Sequence, residues 1–576
     1  MDFDVVIIGS AMAGSILSSI ISRHGLKTLM IDTGRHPKFS VGESMIPGTS
    51  YLLRIMADRY GVPELDQIST FMKQRRSVTH SSGIKRNFSF VHHEKGQLFE
   101  PARSTMLPIP HYPHGPESHL MRQDIDAFLF ATAVGYGSRA MQDTSVTKIE
   151  HVTGGMALET ACGKRITCKY LVDASGHNSL LAKTFDLRET PTRLATHSRS
   201  IFTHMVGVIP FDDFYGPEQH GLPQPLSQGT LHHIFDGGWL WVIPFDNYEG
   251  ATNRLCSVGL QLDPRKYPLD KRLPEQEFRD FLEGYPQIKQ QFSRASAVRP
   301  WVSAPRLQYS SKRVVGDRFC LLAHAAGFID PLFSRGLYIT MEAINMLAHR
   351  LIEATREDDF SLERFAPLER LTQGLVDAHD KVTHGSFIAF KDFELWNAWY
   401  RVWALGGTFS SLKFRQAHLK FKRSGDKSHL DELEHHEHLG TLCADLDEYQ
   451  PLFNQAYAIM LQVEAGTLAK SEAVSQLYGL YRDKDWIPPM YELANPARRF
   501  VSPGDFQSFL KSTYWGYAQA PEKIRKMYFD FPALDLFKGV ARSLTAERAW
   551  MRRIAGTAKY PNFETYGGRT RAELPA

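Results

Sequence analysis

The first residues with evident chemistry form a turn, Gly9-Ser10-Ala11-Met12-Ala13-Gly14. Small residues at this spacing let backbone N–H groups converge, and an anion is what such a point binds. Asp32 follows about twenty residues later, where a carboxylate can accept hydrogen bonds from a ribose 2′-OH. Together they predict a dinucleotide, with its pyrophosphate on the turn and its ribose on the aspartate. Ala11 occupies the place of the middle glycine in the G-x-G-x-x-G pattern, so a methyl group stands where backbone must come closest to phosphate.

The elements that must hold these residues are legible around them. Phe3 to Ile8 (FDVVII) is an apolar, β-branched run and predicts a strand. Ile16, Leu17, Ile20 and Ile21 then fall at helical spacing, and Thr28 to Ile31 (TLMI) predicts a second strand that ends on Asp32. Two later segments repeat the theme of a strand running into small residues. They are Tyr170 to Gly176 (YLVDASG) and Val315 to Gly336, the second leading into a helix that begins near Ser334.

Composition narrows the function classes. Lys and Arg total 67 against 63 Asp and Glu, a net charge of +4, which excludes a strongly basic nucleic-acid-binding arm as the main theme. At 576 residues the chain exceeds what one core usually serves, so more than one packed unit is expected. Five scattered cysteines (Cys162, Cys168, Cys256, Cys320, Cys443) argue for free thiols in a reducing cytoplasm and against a disulfide scaffold. No apolar run spans a bilayer, and the N-terminus opens on a strand with no signal-peptide pattern. The histidines of ELEHHEHLG (His435, His436, His438) lie in a charged, helical-looking stretch and read as a solvated face, so no metal site is expected. His232 and His233 precede the tryptophan strand described below. Packing is their first reading, and a place in a substrate cavity their second.

Over about the first 350 residues the chain resembles single-Rossmann flavoprotein monooxygenases and, more closely, the flavin-dependent halogenases. The resemblance is carried by Val41-Gly42-Glu43-Ser44, Arg122 with Asp126 in RQDIDAFLF, Asp173-Ala174-Ser175-Gly176 and Asp330-Pro331-Leu332-Phe333-Ser334. It is sharpened by Trp239-Leu240-Trp241-Val242-Ile243-Pro244, an intact Trp-x-Trp-x-Ile-Pro element. The stretches RSIFTHMVGV (from Arg199), LHHIFDGGWLWVIPF, LCSVGLQLD (from Leu255) and HAAGFIDPLFSRGL look most like the chlortetracycline-type enzymes, which act on phenolic aromatics. Tryptophan halogenases instead carry a Glu-Ser-Thr-Gly turn; here the stretch reads Phe333-Ser334-Arg335-Gly336, without the glutamate. The departure argues against free tryptophan and for a phenol-like or pyrrole-like ring.

The resemblance implies an α/β fold of the single-Rossmann FAD-binding type, with a substrate-side β-sheet and a mostly helical C-terminal region. Residues 1–340 would form the FAD and halogenase domain, with the substrate-side sheet at about 80–120 and 195–300. Residues 341–576 would form helices covering the substrate end. FAD, supplied reduced by a separate flavin reductase, would contact Gly9, Ala11, Ala13, Gly14, Asp32, Glu43, Ser44, Arg122, Val146, His324 and Asp330. His324 is itself a departure, because the family has aspartate there; a covalent flavin link at Asp330 stays open. Chloride or bromide would lie at Ser334, Arg335 and Gly336, against a helix start. Trp239 and Trp241 would keep the organic substrate from the flavin. A lysine would activate hypohalous acid: Lys85 first, with Lys73 as the alternative. The substrate would be a small aromatic molecule, free or tethered to a carrier protein. Hydroxylation of an aromatic ring in the same fold is the alternative activity, and a non-catalytic flavin-binding or carrier-interaction module is the alternative of another class. The aromatic run Phe387 to Phe409 reads as a buried helix contact, or as a wall of the substrate cavity.

Overall fold

The computed structural model describes residues 1–110, 113–269, 271–501 and 506–557. The tail after Pro561, expected to be a frayed terminus, lies outside the described residues.

Strand β1 (Phe3–Ile8), helix α1 (Met12–Arg23) and strand β2 (Thr28–Ile31) form the first βαβ unit. β1 runs parallel to β2 on one side, with Val5 opposite Thr28. On its other side it runs parallel to β10 (Arg165–Asp173), with Val5 opposite Tyr170. A strand hydrogen-bonded on both sides and covered on both faces must be apolar where it is covered, and the fully buried Val5, Val6 and Ile7 meet that demand, while Asp4 lies in the partly exposed first part of the strand. The sheet continues from β2 to β7 (Arg139–Met141), and from β10 through β18 (Phe319–Leu321) to β17 (Val315–Gly316). β8 (Val146–Val152) and β9 (Gly155–Thr160) branch off β10.

A second sheet has the order β15-β11-β14-β13-β12-β4-β5. These strands are Ser296–Ala297, Arg199–Val206, Cys256–Leu262, Gly238–Pro244, Thr230–Phe235, Asn87–His93 and Ser104–Pro108. β16 (Val302–Ala304) adds to β11. The alternating pattern of Asn87 to His92 predicts a strand, and β4 spans it with every residue buried. The reason is that Phe88 and Phe90 face the main core while Val91 joins a second one, so both faces of this sheet are covered. A short ribbon pairs β3 (Gly83–Lys85) with β6 (Glu117–His119), placing Lys85 directly opposite Glu117.

The helices that bear on the site are α2 (Pro47–Tyr60), α3 (Phe71–Ser77), α4 (Arg122–Gly135), α5 (Arg335–Glu357), α6 (Leu362–Ala389), α7 (Phe393–Ser424) and α8 (Ala533–Thr557). α5 packs on α1, α2 and α6, so position 340 falls inside a helix shared by the N-terminal and C-terminal elements. One core runs from Val5 and Ile7 of β1 through Leu347 of α5 to Trp399 of α7. The ELEHHEHLG stretch is not a continuous helix: Glu432–Glu434 form a 3-10 turn, and His435 ends it at φ −114°, outside helical geometry. Among the described residues no helix is long and apolar enough to cross a membrane, and no cluster of three or more His, Cys, Asp or Glu is placed to hold a metal ion.

Candidate active site

The dinucleotide end is built by the tip of β1. Gly9 has φ +103°, a backbone conformation costly for other residues, and a Cβ there would lie 2.6 Å from the Ala174 carbonyl oxygen. Gly14 packs so tightly on the Gly9 carbonyl that a methyl would overlap it. Ala11 at the N-cap of α1 has no side chain that could cap its first turn, so among the described residues the leading N–H groups stay open toward the turn. Asp32 accepts hydrogen bonds from Ser10 N (2.7 Å), Ser10 Oγ (2.8 Å) and Gly34 N (2.8 Å), and Lys38 pairs with it. Val146 opens β8 just beyond Thr144, whose N–H donates to the Asp32 carbonyl at 2.9 Å. Open N–H groups, a close-packed glycine pair and an anchored carboxylate fit a dinucleotide's pyrophosphate and ribose.

The neighbouring loop is held by Arg122. Its guanidinium grips Asp126 with two bonds of 2.9 Å and donates to the Gly42 carbonyl at 2.9 Å. Glu43 is buried with Oε1 2.7 Å from His204 Nε2, an unforeseen partner.

Lys85 is fully buried, although it lies at the end of a three-residue strand. Its ammonium donates to Ser44 Oγ at 2.6 Å and to Ser334 Oγ at 3.3 Å, and stands 3.5 Å above the centre of the Phe88 ring. Burial holds its pKa well below the usual lysine range, with Glu117 pulling the other way. From Ser44 the polar network continues to Thr230 Oγ1 (2.8 Å), His119 Nε2 (3.1 Å) and, from His119 Nδ1, the Pro244 carbonyl (2.9 Å). Pro244 closes the Trp-x-Trp-x-Ile-Pro element, so the lysine and the tryptophan strand share one set of hydrogen bonds. Lys73 is elsewhere: it sits half-exposed on α3, with both Asp66 oxygens 2.6 Å away.

Ser334 adopts a left-handed conformation (φ +54°, ψ +31°) as α5 begins, and its own N–H is bonded to the Pro331 carbonyl at 3.0 Å. The N–H groups of Arg335 and Gly336 lie in the first turn of α5, where N–H groups lack an intrahelical partner. Arg335 is buried, with its guanidinium 3.8 Å from the centre of the Tyr338 ring. His324 lies against Gly336, where a Cβ would be 3.0 Å from its Nε2, and burial lowers its pKa to about 4, so the ring is neutral at pH 7.

Trp239 and Trp241 occupy the same face of β13, with ring centres 5.7 Å apart. Trp239 is buried and donates to Asp330 Oδ1 at 3.1 Å; Trp241 lies over Gly259 and donates to Ser257 Oγ at 3.2 Å. Asp330 also accepts from Ser198 Oγ (2.7 Å) and Leu332 N (3.1 Å), and burial pushes its pKa up to about 7. His232 stacks on Phe90 at 4.5 Å, while His233 points to the other core with Nε2 2.8 Å from Gln291 Oε1. Both are packing residues. The aromatic run supplies Trp403, which stacks on Phe333 at 4.4 Å and meets Phe88 edge-on at 5.0 Å. It thus packs a helix and also backs the ring beneath Lys85.

Sequence reading missed Glu117, His119, Thr230, Ser198 and His204. Each lies in a strand or loop whose partner is distant in sequence; only the short ESH strand preceding Arg122 offered a local signal.

Residues 69–376 match the family model described as tryptophan halogenase. The chain belongs to the tryptophan halogenase family. Monodechloroaminopyrrolnitrin halogenase PrnC of Pseudomonas fluorescens is 45% identical over 548 residues, covering 93% of this chain and 95% of that one. Tetracycline 7-halogenase of Kitasatospora aureofaciens is 43% identical over 527 residues, covering 91% and 94%. The crystal structure of halogenase PltM in complex with phloroglucinol and FAD superposes with a TM-score of 0.84 at 36% identity, covering 87% of this chain and all of that one. As a member of this family the chain is an FAD-dependent halogenase, and its first sheet is the Rossmann-type sheet of such enzymes.

Proposed function

We propose that this halogenase places a halogen on an electron-rich, phenolic ring, with Lys85 as the residue that holds and activates hypohalous acid. The observation that carries the reading is the position of the Lys85 ammonium, buried between Ser44 beside the flavin motifs and Ser334 at the halide turn. When bound in reduced form, FAD supplies with O₂ the two-electron oxidation that turns halide into hypohalous acid. The chain's own residues do the rest.

Gly9, Ala11, Ala13, Gly14 and Asp32 hold the dinucleotide, with Arg122, Glu43, Ser44, Val146 and His324 along it. The N–H groups at Arg335 and Gly336 hold the halide. Lys85 donates a proton in a hydrogen bond to the oxygen of hypohalous acid, which makes the halogen more electrophilic. Its lowered pKa also keeps the neutral amine accessible, the form that makes a haloamine. Trp239 and Trp241, two bulky rings side by side on β13, would keep a flat organic ring away from the flavin. A phenol is already nucleophilic, which suits a site whose helix-start turn carries Phe333 in place of glutamate.

The substrate is proposed as a free small molecule, in keeping with the names of the relatives above 40% identity. A separate reductase is proposed to supply the flavin, since the sequence carries one dinucleotide turn. The helices after residue 340 are proposed to cover the substrate end, because Trp403 backs the ring under Lys85. A cytoplasmic location is proposed from the free thiols.

The test is a reductase-coupled reaction with chloride, bromide and a panel of phenols, read by mass spectrometry. A halide-dependent mass gain with the halogen isotope pattern is expected; gain of oxygen alone would overturn the reading in favour of hydroxylation.

A further inference from the structure

A cavity of about 1000 Å³ opens beside α2, and Lys85 is not among its wall residues. Six lysine and arginine side chains line it against three aspartates. Two of those aspartates are already answered. Asp66 gives both oxygens to Lys73 at 2.6 Å, and Asp58 is held by His418 at 2.7 Å and Lys422 at 3.1 Å.

Arg54 is different. It is 4% exposed and lines the cavity; its Nε reaches Ser69 Oγ at 3.2 Å, and the nearest Asp66 oxygen is 3.9 Å away. Among the described residues its Nη2 has no hydrogen-bond partner. A buried guanidinium arm without a partner is energetically expensive unless a ligand answers it, and a planar fork of N–H groups suits a carboxylate or phenolate oxygen.

The same helix leads from this arm back to the lysine. One turn before Arg54, Ser50 donates to Glu117, which stands opposite Lys85 across the β3–β6 ribbon. Tyr51 meets His114 edge-on at 5.4 Å, and His114 is a wall of the cavity. The exposed Arg76 adds a further cation to the wall.

We propose that this cavity seats the organic substrate, and that Arg54 binds an oxyanion on it, a ring carboxylate or phenolate. The aromatic ring is thereby directed along α2 toward Lys85. The inference rests on the halogenase reading above and adds to it a substrate class, acidic phenols.

The experiment compares a phenol with its ring-carboxylated counterpart, using the full chain, FAD, a reductase and bromide. The wild type is expected to favour the carboxylated substrate in kcat/KM by about 10-fold to 100-fold, the effect of one charge-assisted contact. Arg54→Met should remove that preference through KM for the carboxylated substrate, and Arg54→Lys should restore part of it. Arg76→Gln should reduce the preference by about 3-fold, as a more exposed charge would; it decides the matter if Arg54→Met does not fold. Absence of preference in the wild type, or loss of both substrates in equal measure with Arg54→Met and no change with Arg76→Gln, would overturn the inference. Hypohalous acid trapped from the wild type without organic substrate reports on the halogenase reading separately: if none forms, it is that reading that fails.

Discussion

Trp239 donates its indole N–H to Asp330 at 3.1 Å, joining the middle of the second sheet to the turn that starts α5. The two residues are 91 positions apart. Trp239 has 1% of its surface exposed, so its ring is both a packing element and a hydrogen-bond donor. Trp239→Phe should lower stability by about 1–3 kcal/mol, through a smaller ring and an unanswered carboxyl. Trp241→Phe should do less, because Trp241 is only half-buried. Thermal unfolding of both variants checks the order.

The same carboxyl predicts a pH effect on stability. Burial raises Asp330 from 3.8 to about 7, so between those values the folded chain holds a proton that the unfolded chain has released. Its contribution therefore makes stability fall as pH rises through that window. Glu117, raised by burial to about 7, carries the same sign. Asp330→Asn should remove one such proton, worth at most about 1.4 kcal/mol per pH unit. Melting temperatures measured from pH 5 to 8 should then decline less steeply in the variant than in the wild type; equal slopes would refute the assignment.

Lys85→Ala should lower halogenation by about 100-fold or more, the scale of a lost acid–base group. FAD binding and oxidation of supplied reduced flavin should persist. Lys73→Ala should keep most of the activity, because Lys73 is half-exposed and bound to Asp66. Product formation and flavin oxidation, followed in parallel, separate the two lysines.

Gly14→Ala should weaken FAD binding by at least about 10-fold, since its methyl would overlap the Gly9 carbonyl and displace the turn. Ala11→Gly should leave affinity equal or improved, as it restores the usual glycine where backbone approaches phosphate. Flavin fluorescence titration measures both, and a Gly14→Ala chain that binds FAD normally would show that the turn does not hold it.

The first βαβ unit was legible because its information is local. An apolar run of the right length, glycines at fixed spacing and helical periodicity all lie within thirty-two residues, and β1 and β2 span Phe3–Ile8 and Thr28–Ile31 as read. The tryptophan element was legible for the same reason, as six consecutive residues. The alternation of Asn87 to His92 marked a strand, but it could not tell that a second core covers the other face. His232 and His233, adjacent in sequence, went to opposite cores because successive strand side chains point to opposite faces. Pattern alone could not say which one neighbours Trp239.

Sequence by itself determined the kind of cofactor, the family and the local elements that carry their signatures, since each is written in contiguous residues. Only tertiary structure decided which lysine sits between Ser44 and Ser334, that Glu117 faces it, and that one arm of Arg54 has no hydrogen-bond partner among the described residues. Burial and long-range pairing set these properties. A lysine reads the same on an exposed helix and on a buried ribbon until the chain brings residue 334 to residue 85 and removes the water between them.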